Sequence, residues 1–490
     1  MTTSYLSQFN EIGSLHNALT EKTLSARELT QEALKSIQQS NLNAFSQVDA
    51  DLSLQQADTA DHLLASTSSS QLTGIPIAYK DLLVTQGWRT TAASKMLQHY
   101  VSPFDATAIS QLESCGTISL GKLNCNEFGL PATTPNSIFG PVRNPWGTNS
   151  NNSTLGDGAA TAVAAGLVMA AIATDTGGEL RQAASAAGVT GIRPTYGVVS
   201  RYGMLAVGSS FDTIGPIARH ASDLVPLLDT ISGFDPADGT SLEQCAETPN
   251  RAGRIQADFE HHKQQLNNQT AGNPLKGLRI GISDDTVVHQ QAIQELEDLG
   301  AEIVSVKLSH LALSTPTYDV LSAAEASTNL SRYDGVHFGY RSPSYKGLED
   351  MVARSRTEGF GEAVKLRILL GTHILSEAQY DQYYLQAQRI RRLIATELQQ
   401  ALNNHCDILL APAVTDPENE SPAQISNHWF TATALAGLPV ISIPCGFNTE
   451  RRQPLGLQLI GNYFQEGQLL AIANCYQQAT QWHQLTPETA

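Results

Sequence analysis

The sequence predicts an α/β fold in which strands alternate with helices along the whole chain. Short apolar runs typical of buried strands recur from the N-terminal third to the C-terminal third, and helical patterns separate them. The chain has 490 residues, of which 41% are hydrophobic and 16% charged, an ordinary globular balance that allows a sizeable core. We therefore expect one α/β layer structure, a single domain over residues 1–490.

The N-terminal half contains helix and strand signals in turn. Ser25 and Glu28 form a capping-box pattern inside a helical segment of about residues 1–65. Short strands are predicted at 74–79 and 116–120, and the Ala-rich run 158–173 is predicted to be a helix.

The C-terminal half continues the alternation. Residues 235–277 are polar and interrupted by Pro and Gly, which predicts a surface excursion rather than a domain linker. Beyond it we predict a strand–helix–strand unit over 278–306, a long amphipathic helix over 375–404 and strands at 408–411, 440–444 and 456–460.

Composition excludes several classes of function. The formal net charge is -17, and a surface of that sign repels phosphate backbones and anionic lipids, so direct binding to nucleic acid or membrane is not expected. A partner would have to supply the basic surface for any nucleic acid. The six cysteines show no zinc-site spacing, and neither an export signal nor a membrane span is recognisable. We expect a soluble cytoplasmic protein without metal or cofactor.

Several strings of distinctive sequence occur along the chain. In chain order they are GIPIAYKD at 74–81, LGKLNCNEF at 120–128, GPVRNPW at 140–146, TDTGGELRQ at 174–182, GIRPTYGVVSRYG at 191–203 and DTIGPI at 212–217. One such string alone is weak evidence, but all of them in this order specifically resemble the amidase signature family. The resemblance implies a large central mixed β-sheet flanked by helices on both faces.

Further strings narrow the resemblance to the A subunits of tRNA-dependent amidotransferases. These strings are NLSRYDG at 329–335, RSRTEGFG at 354–361, RILLGT at 367–372, LAGLP at 435–439 and GLQLIG at 456–461. In that family the A subunit hydrolyses glutamine, a B subunit uses the ammonia to amidate a misacylated tRNA, and a small C subunit joins the two. The resemblance therefore implies B-like and C-like partners and a small amide or amino acid as ligand.

The chain departs from the family where the chemistry takes place. The family uses a lysine, a bridging serine and a nucleophilic serine, whose hydroxyl the lysine activates through the bridge. Lys80 falls on the lysine, and Glu179 stands where the nucleophile should follow Asp-Thr-Gly-Gly. The flanking segments PW at 145–146 and AVAAG at 162–166 match without a gap, which places Leu155 at the bridging position. The resemblance assigns an oxyanion loop to three residues, namely Thr176, Gly177 and Gly178.

Two further residues fall on the family's glutamine site. Arg367 occupies the position of an arginine that grips the substrate carboxylate. Asn427 occupies the position of an aspartate that receives the substrate amino group, and an amide offers no full counter-charge to an ammonium. The expected interpretation of Lys80 is a buried ion pair with Glu179, because an unpaired cation in that position would be costly.

The sequence leads to a first interpretation and to alternatives. The first is a catalytically inactive paralogue of the A subunit with a scaffolding, regulatory or ligand-binding role. The main alternative is an active amidotransferase subunit or amidase with a rearranged site, in which Glu179 acts as nucleophile or base, or Ser153 or Thr154 supplies a displaced hydroxyl. A further alternative is a small-molecule sensor or carrier. Cys125 and Cys445 are interpreted as buried small hydrophobic residues.

Overall fold

The structure is a computed structural model. It describes residues 5–66, 69–130, 135–147, 157–243, 254–269, 272–284, 286, 288–413, 420–449 and 452–487.

The described residues form helices and strands in alternation. The helices are α1 Tyr5–Gln8, α2 Ile12–Thr20, α3 Ala26–Gln39, α4 Ala50–Leu64, α5 Thr107–Ser114, α6 Gly158–Ala164, α7 Glu179–Ala187, α8 Ala221–Ile231, α9 Arg254–Asn267, α10 Gln290–Asp298, α11 Ser314–Asn329, α12 Leu348–Gly359, α13 Glu362–Ile374, α14 Gln386–Asn404, α15 Glu420–Ala436 and α16 Glu466–Ala479. The strands are β1 Phe45–Gln47, β2 Pro76–Lys80, β3 Ile118–Leu123, β4 Ala170–Asp175, β5 Thr190–Arg193, β6 Thr213–Ala218, β7 Arg279–Ser283, β8 Glu302–Val306, β9 Ile408–Pro412, β10 Val440–Asn448 and β11 Gln453–Ile460.

All of these strands join one mixed sheet of eleven strands, which confirms the predicted fold class. Their order is β1-β3-β2-β4-β6-β5-β10-β11-β9-β7-β8. The pairs β2/β3, β2/β4, β7/β8 and β7/β9 are parallel, and the remaining neighbours are antiparallel. The central strands β2 to β6 are buried along their whole length, as expected for a sheet covered on both faces.

Most predicted elements of the N-terminal half are present, but the Ala-rich run is divided. The capping box at Ser25 and Glu28 is formed as predicted. The predicted helix over 158–173 was wrong in its second half, because α6 ends at Ala164 and residues 170–175 form β4. Gly166 adopts a left-handed conformation, with φ of +65°, and this ends the helix, since Gly takes that conformation without steric cost.

One prediction for the C-terminal half also needs correction. The predicted helix over 375–404 begins only at Gln386. The preceding helix, α13, ends at Ile374, and just beyond that end the Ser376 hydroxyl donates to the carbonyl of His373. A π-helical turn, Asp381–Leu385, precedes α14. The polar stretch 235–277 contains α9, which buries Ile255 and Phe259, so it includes a packed helix. No helix in the described ranges has the length and apolar character required to cross a membrane.

The topology places the candidate site at one edge of the sheet. Strands β2 and β4 are parallel neighbours, with Tyr79 opposite Ile172. Their C-terminal ends therefore lie side by side, so Lys80 at the end of β2 lies near the loop that follows Asp175. Helix α7 starts after this loop, and its N-terminus points to the same edge.

Candidate active site

The loop Thr176–Gly178 connects β4 to α7 and requires its two glycines. An ideal Cβ on Gly177 would lie 2.4 Å from Cζ of Tyr318, and one on Gly178 would lie 2.6 Å from Cβ of Phe430. Gly178 also has a φ of +120°, a conformation that other residues rarely adopt. The hydroxyl of Thr176 donates to Asp212 Oδ1 at 2.7 Å. The loop is thus held closely between aromatic side chains and Asp212.

The carboxylate of Glu179 binds the backbone of this same loop. Its Oε2 accepts hydrogen bonds from the backbone N–H groups of Thr176 at 2.8 Å and Gly177 at 2.9 Å. Glu179 is the first residue of α7, where exposed N–H groups and the helix dipole favour a negative charge. A carboxylate therefore sits on N–H groups of the kind that stabilise an oxyanion in acyl-transfer enzymes.

The predicted ion pair between Lys80 and Glu179 is wrong. The Lys80 ammonium binds Asp157 Oδ2 at 2.7 Å, and both side chains are buried. Asp157 is the N-cap residue of α6, and its other oxygen, Oδ1, accepts from the N–H of Ala159 at 2.8 Å. The residue before a helix can thus bind the helix and a cation at once. The Glu179 side chain turns back towards its own loop, where the N–H groups of Thr176 and Gly177 lie three and two residues away in sequence.

The charges in the site shift its pKa values in defined directions. Burial by itself lowers the pKa of Lys80, but the nearby Asp157, together with Cys125 and Glu179, more than offsets it, so that the pKa of Lys80 is raised. Burial and the charge of Asp175 raise the pKa of Glu179, while Lys80 and the two N–H groups act in the opposite direction. Lys80 is therefore fully protonated at neutral pH.

A group of buried charges beneath the loop was missed by the sequence reasoning. Asp175 accepts from Arg181 at 2.9 and 3.0 Å and from Arg193 at 2.8 Å. Arg181 also reaches Thr433 and Gln458, and Arg193 also binds the carbonyl of Asp175. We call Asp175, Arg181 and Arg193 the clamp, and Lys80, Asp157 and Glu179 the pocket floor. Burial opposes ionisation of Asp175, but the two guanidinium groups lower its pKa to about 2.

The two predicted substrate-binding residues are not joined by any described contact. Arg367 lies on α13 and forms an ion pair with Asp319 of α11 at 3.3 Å. The side chain of Asn427 is exposed on α15. Tyr318, which the sequence reasoning missed, is buried beside the loop, and its pKa is raised by burial and by Glu179 while Arg367 lowers it. The phenol of Tyr318 therefore lies within electrostatic range of both charges.

The remaining predicted residues are three that the structure does not describe and two buried cysteines. Leu155, Ser153 and Thr154 lie outside the described residues. The thiols of Cys125 and Cys445 are buried, and burial raises the pKa of each. A low thiolate fraction makes both cysteines poor nucleophiles. Among the described residues, no group of three or more His, Cys, Asp or Glu side chains is arranged to hold a metal ion.

Comparisons with known proteins decide the family. The family model described as Amidase matches residues 28–470. The chain belongs to the amidase family. Among its relatives in this family is the A subunit of glutamyl-tRNA(Gln) amidotransferase from Bordetella avium, which is 49% identical over 502 aligned residues and covers 98% of each chain. The corresponding protein of Burkholderia cenocepacia is 48% identical and covers 96% of this chain and 98% of its own length.

Solved structures of amidase-family proteins share the fold. The A subunit of glutamyl-tRNA(Gln) amidotransferase from Thermotoga maritima superposes with a TM-score of 0.71 at 31% identity, covering 96% of this chain and 95% of that one. The peptide amidase of Stenotrophomonas maltophilia superposes with a TM-score of 0.79 at 28% identity, covering 96% of both chains. The resemblance inferred from the sequence motifs is thereby confirmed at the level of the family and of its likeness to amidotransferase A subunits.

Proposed function

We propose that this chain is a noncatalytic amidase-family protein that serves as an A-type subunit in an amidotransferase-like assembly with B-like and C-like partners. The observation that carries the proposal is the Glu179 carboxylate on the N–H groups of Thr176 and Gly177. An oxyanion formed on a substrate amide would have to displace a group held by two charge-assisted hydrogen bonds. Position 179 also offers no hydroxyl for attack on the amide.

The state of Lys80 supports the same proposal. The family mechanism needs a neutral lysine that takes the serine proton through the bridging hydroxyl. Here Asp157 raises the pKa of Lys80, so the ammonium keeps its proton and cannot act as a base. With Leu155 at the bridging position, no proton path from position 179 to Lys80 is expected.

A second candidate is an active glutamine-dependent amidotransferase subunit or amidase with a rearranged site. The comparisons favour this candidate, because relatives named as A subunits of an amidotransferase align with nearly the whole chain. Lys80 and the loop Thr176–Gly178 are also retained. The two candidates agree on the assembly and differ in whether the chain releases ammonia.

An assay of ammonia release separates the two candidates. The purified chain, alone and with B-type and C-type subunits from the same genome, is incubated with glutamine, asparagine and simple amides. We expect no release above background, because positions 155 and 179 carry no hydroxyl and Asp157 keeps Lys80 protonated. Turnover that Lys80→Ala abolishes would refute the proposal and establish the second candidate.

A second test restores the proton path from the nucleophile through the bridging hydroxyl to Lys80. Glu179→Ser alone should remain inactive, since the bridging hydroxyl is still missing at Leu155. Adding Leu155→Ser should give at most a trace of activity, because Asp157 still holds Lys80 in its charged form. Adding Asp157→Gly removes that carboxylate and should raise the trace further. Efficient hydrolysis by the Glu179→Ser variant alone would show that this account of the relay is wrong.

A further inference from the structure

Helix α13 presents an apolar row of side chains to solvent. Leu366 and Leu369 are 68% and 67% exposed, and Leu370 is 42% exposed. Their spacing, continued by the exposed His373, places all four on one side of the helix. The opposite side is closely packed, because an ideal Cβ on Gly371 would lie 2.0 Å from the carbonyl oxygen of Ala323 in α11. We call Leu366, Leu369, Leu370 and His373 the α13 stripe.

Exposed tyrosines extend the α13 stripe at its C-terminal end. The ring of Tyr383 lies 6.4 Å from the ring of His373, and its side chain is 45% exposed. Tyr380 is also exposed, and it stacks on Tyr384 with 5.2 Å between ring centroids. A continuous row of large apolar and aromatic side chains in solvent is typical of a surface that binds another macromolecule.

Free carboxylates lie at both ends of the α13 stripe. Glu362 lies in the first turn of α13, and Glu377 and Asp381 follow its C-terminal end. All three are exposed, and no ion pair or side-chain hydrogen bond joins any of them to another described residue. These carboxylates are therefore available to a partner at both ends of the stripe.

The cations beside the α13 stripe offset these carboxylates only in part, because among the described residues Lys365 keeps an unpaired charge and Arg367 is neutralised within the chain. Lys365 donates to the carbonyl of Thr357 at 3.3 Å, and Arg367 is paired with Asp319. The apolar row thus lies between carboxylates that are only partly offset, on a chain whose net charge is -17. A basic partner is attracted to such a surface, whereas a second copy of this chain is repelled by it.

We propose that the α13 stripe binds a basic amphipathic helix of a partner polypeptide. The apolar side of that helix packs on the leucines, and its lysines or arginines reach Glu362, Glu377 and Asp381. This inference rests on the proposed function of the chain within an assembly, and it adds the location and the chemistry of one contact. It does not depend on whether the pocket floor is catalytic.

The experiment measures binding of the full chain to a labelled amphipathic peptide of leucine and lysine, about five helical turns long. A matched peptide with glutamate in place of lysine is the control for charge. We expect the basic peptide to bind and the acidic peptide to bind at least about tenfold more weakly. Equal affinities, or no binding of the basic peptide, would overturn the proposal.

Substitutions locate the binding site on the chain. Leu366→Ser with Leu369→Ser should weaken binding of the basic peptide about tenfold or more. The matched control is Leu348→Ser on α12, because Leu348 is also 67% exposed but lies off the stripe. Glu362→Gln with Glu377→Gln should weaken binding by a smaller factor, and Glu349→Gln should not. Equal effects of stripe and control variants would contradict the proposal.

Analytical ultracentrifugation of the chain alone tests whether a second copy of the chain, rather than a basic helix, occupies the stripe. If the wild-type chain dimerises and the leucine double variant does not, the stripe binds a second copy and the proposal fails. The same variants are tested for co-purification with B-type and C-type subunits, where loss confined to the stripe variants supports the proposal. Ammonia release is measured in parallel, so that failure of the noncatalytic proposal is seen separately from failure of the docking surface.

Discussion

The clamp and the pocket floor lie next to each other and are both built from charged side chains, but they are connected differently. Each clamp arginine binds Asp175 and also groups from other elements, such as Thr433 and Phe211. In the pocket floor, and among the described residues, Lys80 pairs with one carboxylate and the Glu179 carboxylate accepts from N–H groups two and three residues away. The difference indicates that the clamp holds the shape of the loop, while the pocket floor can vary without loss of the fold.

The largest expected effect comes from breaking the clamp. Asp175→Ala leaves two buried guanidinium groups without their shared carboxylate, so we expect the free energy of unfolding to fall by about 3–5 kcal/mol. Urea unfolding followed by far-ultraviolet circular dichroism measures the change. A loss below about 1 kcal/mol would mean that the clamp does not hold the loop.

A smaller loss is expected from breaking the ion pair of the pocket floor. Asp157→Ala leaves the buried Lys80 unpaired and removes a helix N-cap, so stability should fall by about 2–3 kcal/mol. Lys80→Met combined with Asp157→Leu removes both charges and should recover much of that loss. If the double variant is as unstable as the single one, Asp157 contributes through the cap rather than through Lys80.

The removal of Glu179 should change stability least. Glu179→Ala gives up two hydrogen bonds but also relieves burial of a carboxylate close to Asp175, so we expect a net change within about 1 kcal/mol. Thermal unfolding of this variant beside Asp175→Ala tests the comparison directly. Similar losses of stability in the Glu179→Ala and Asp175→Ala variants would show that the pocket floor and the clamp do not differ in this way.

The two regions should also respond to pH in opposite senses. The folded pKa of Glu179 is raised, so its contribution to stability is greatest below its unfolded pKa near 4.5 and is lost as pH rises through the folded value. The stability of the wild type relative to Glu179→Gln should therefore decline as pH increases from 4 towards neutral.

The clamp carboxylate is expected to show the reverse dependence. The folded pKa of Asp175 is lowered to about 2, so its contribution is present above the unfolded value of 3.8 and is lost on acidification towards pH 2. Denaturant unfolding at a series of pH values measures both trends, with Glu179→Gln as the reference for Glu179 and Asp175→Asn as the reference for Asp175. A wild-type curve parallel to that of Glu179→Gln between pH 4 and 7 would contradict the raised pKa.

The sequence predicts the fold and the position of the site better than it predicts the contacts within the site. The motif around Lys80 and the one around Glu179 end neighbouring parallel strands, so their proximity follows from the family fold. The partner of Lys80 does not follow, because the contact with Asp157 depends on the direction of a side chain at the start of α6. A helix N-cap that also binds a lysine is visible only in three dimensions.

A similar limit applies to the Ala-rich run and to α13. Alanine suits both α6 and the fully buried β4, and only the left-handed Gly166 separates them. For α13, the sequence shows apolar residues but not which side packs on α11. The contact between Gly371 and Ala323 identifies the packed side of α13, and only then is it clear that the leucines face solvent.

Glu179 can also be regarded as a ligand tethered to its own binding site. Because it is attached only two and three residues from the N–H groups that it occupies, its effective concentration at the loop is in the millimolar range or above. An external carboxylate or oxyanion therefore competes against this internal anion, and its apparent affinity falls by the corresponding factor. The loop becomes open to such ligands only when Glu179 is protonated, substituted or turned away.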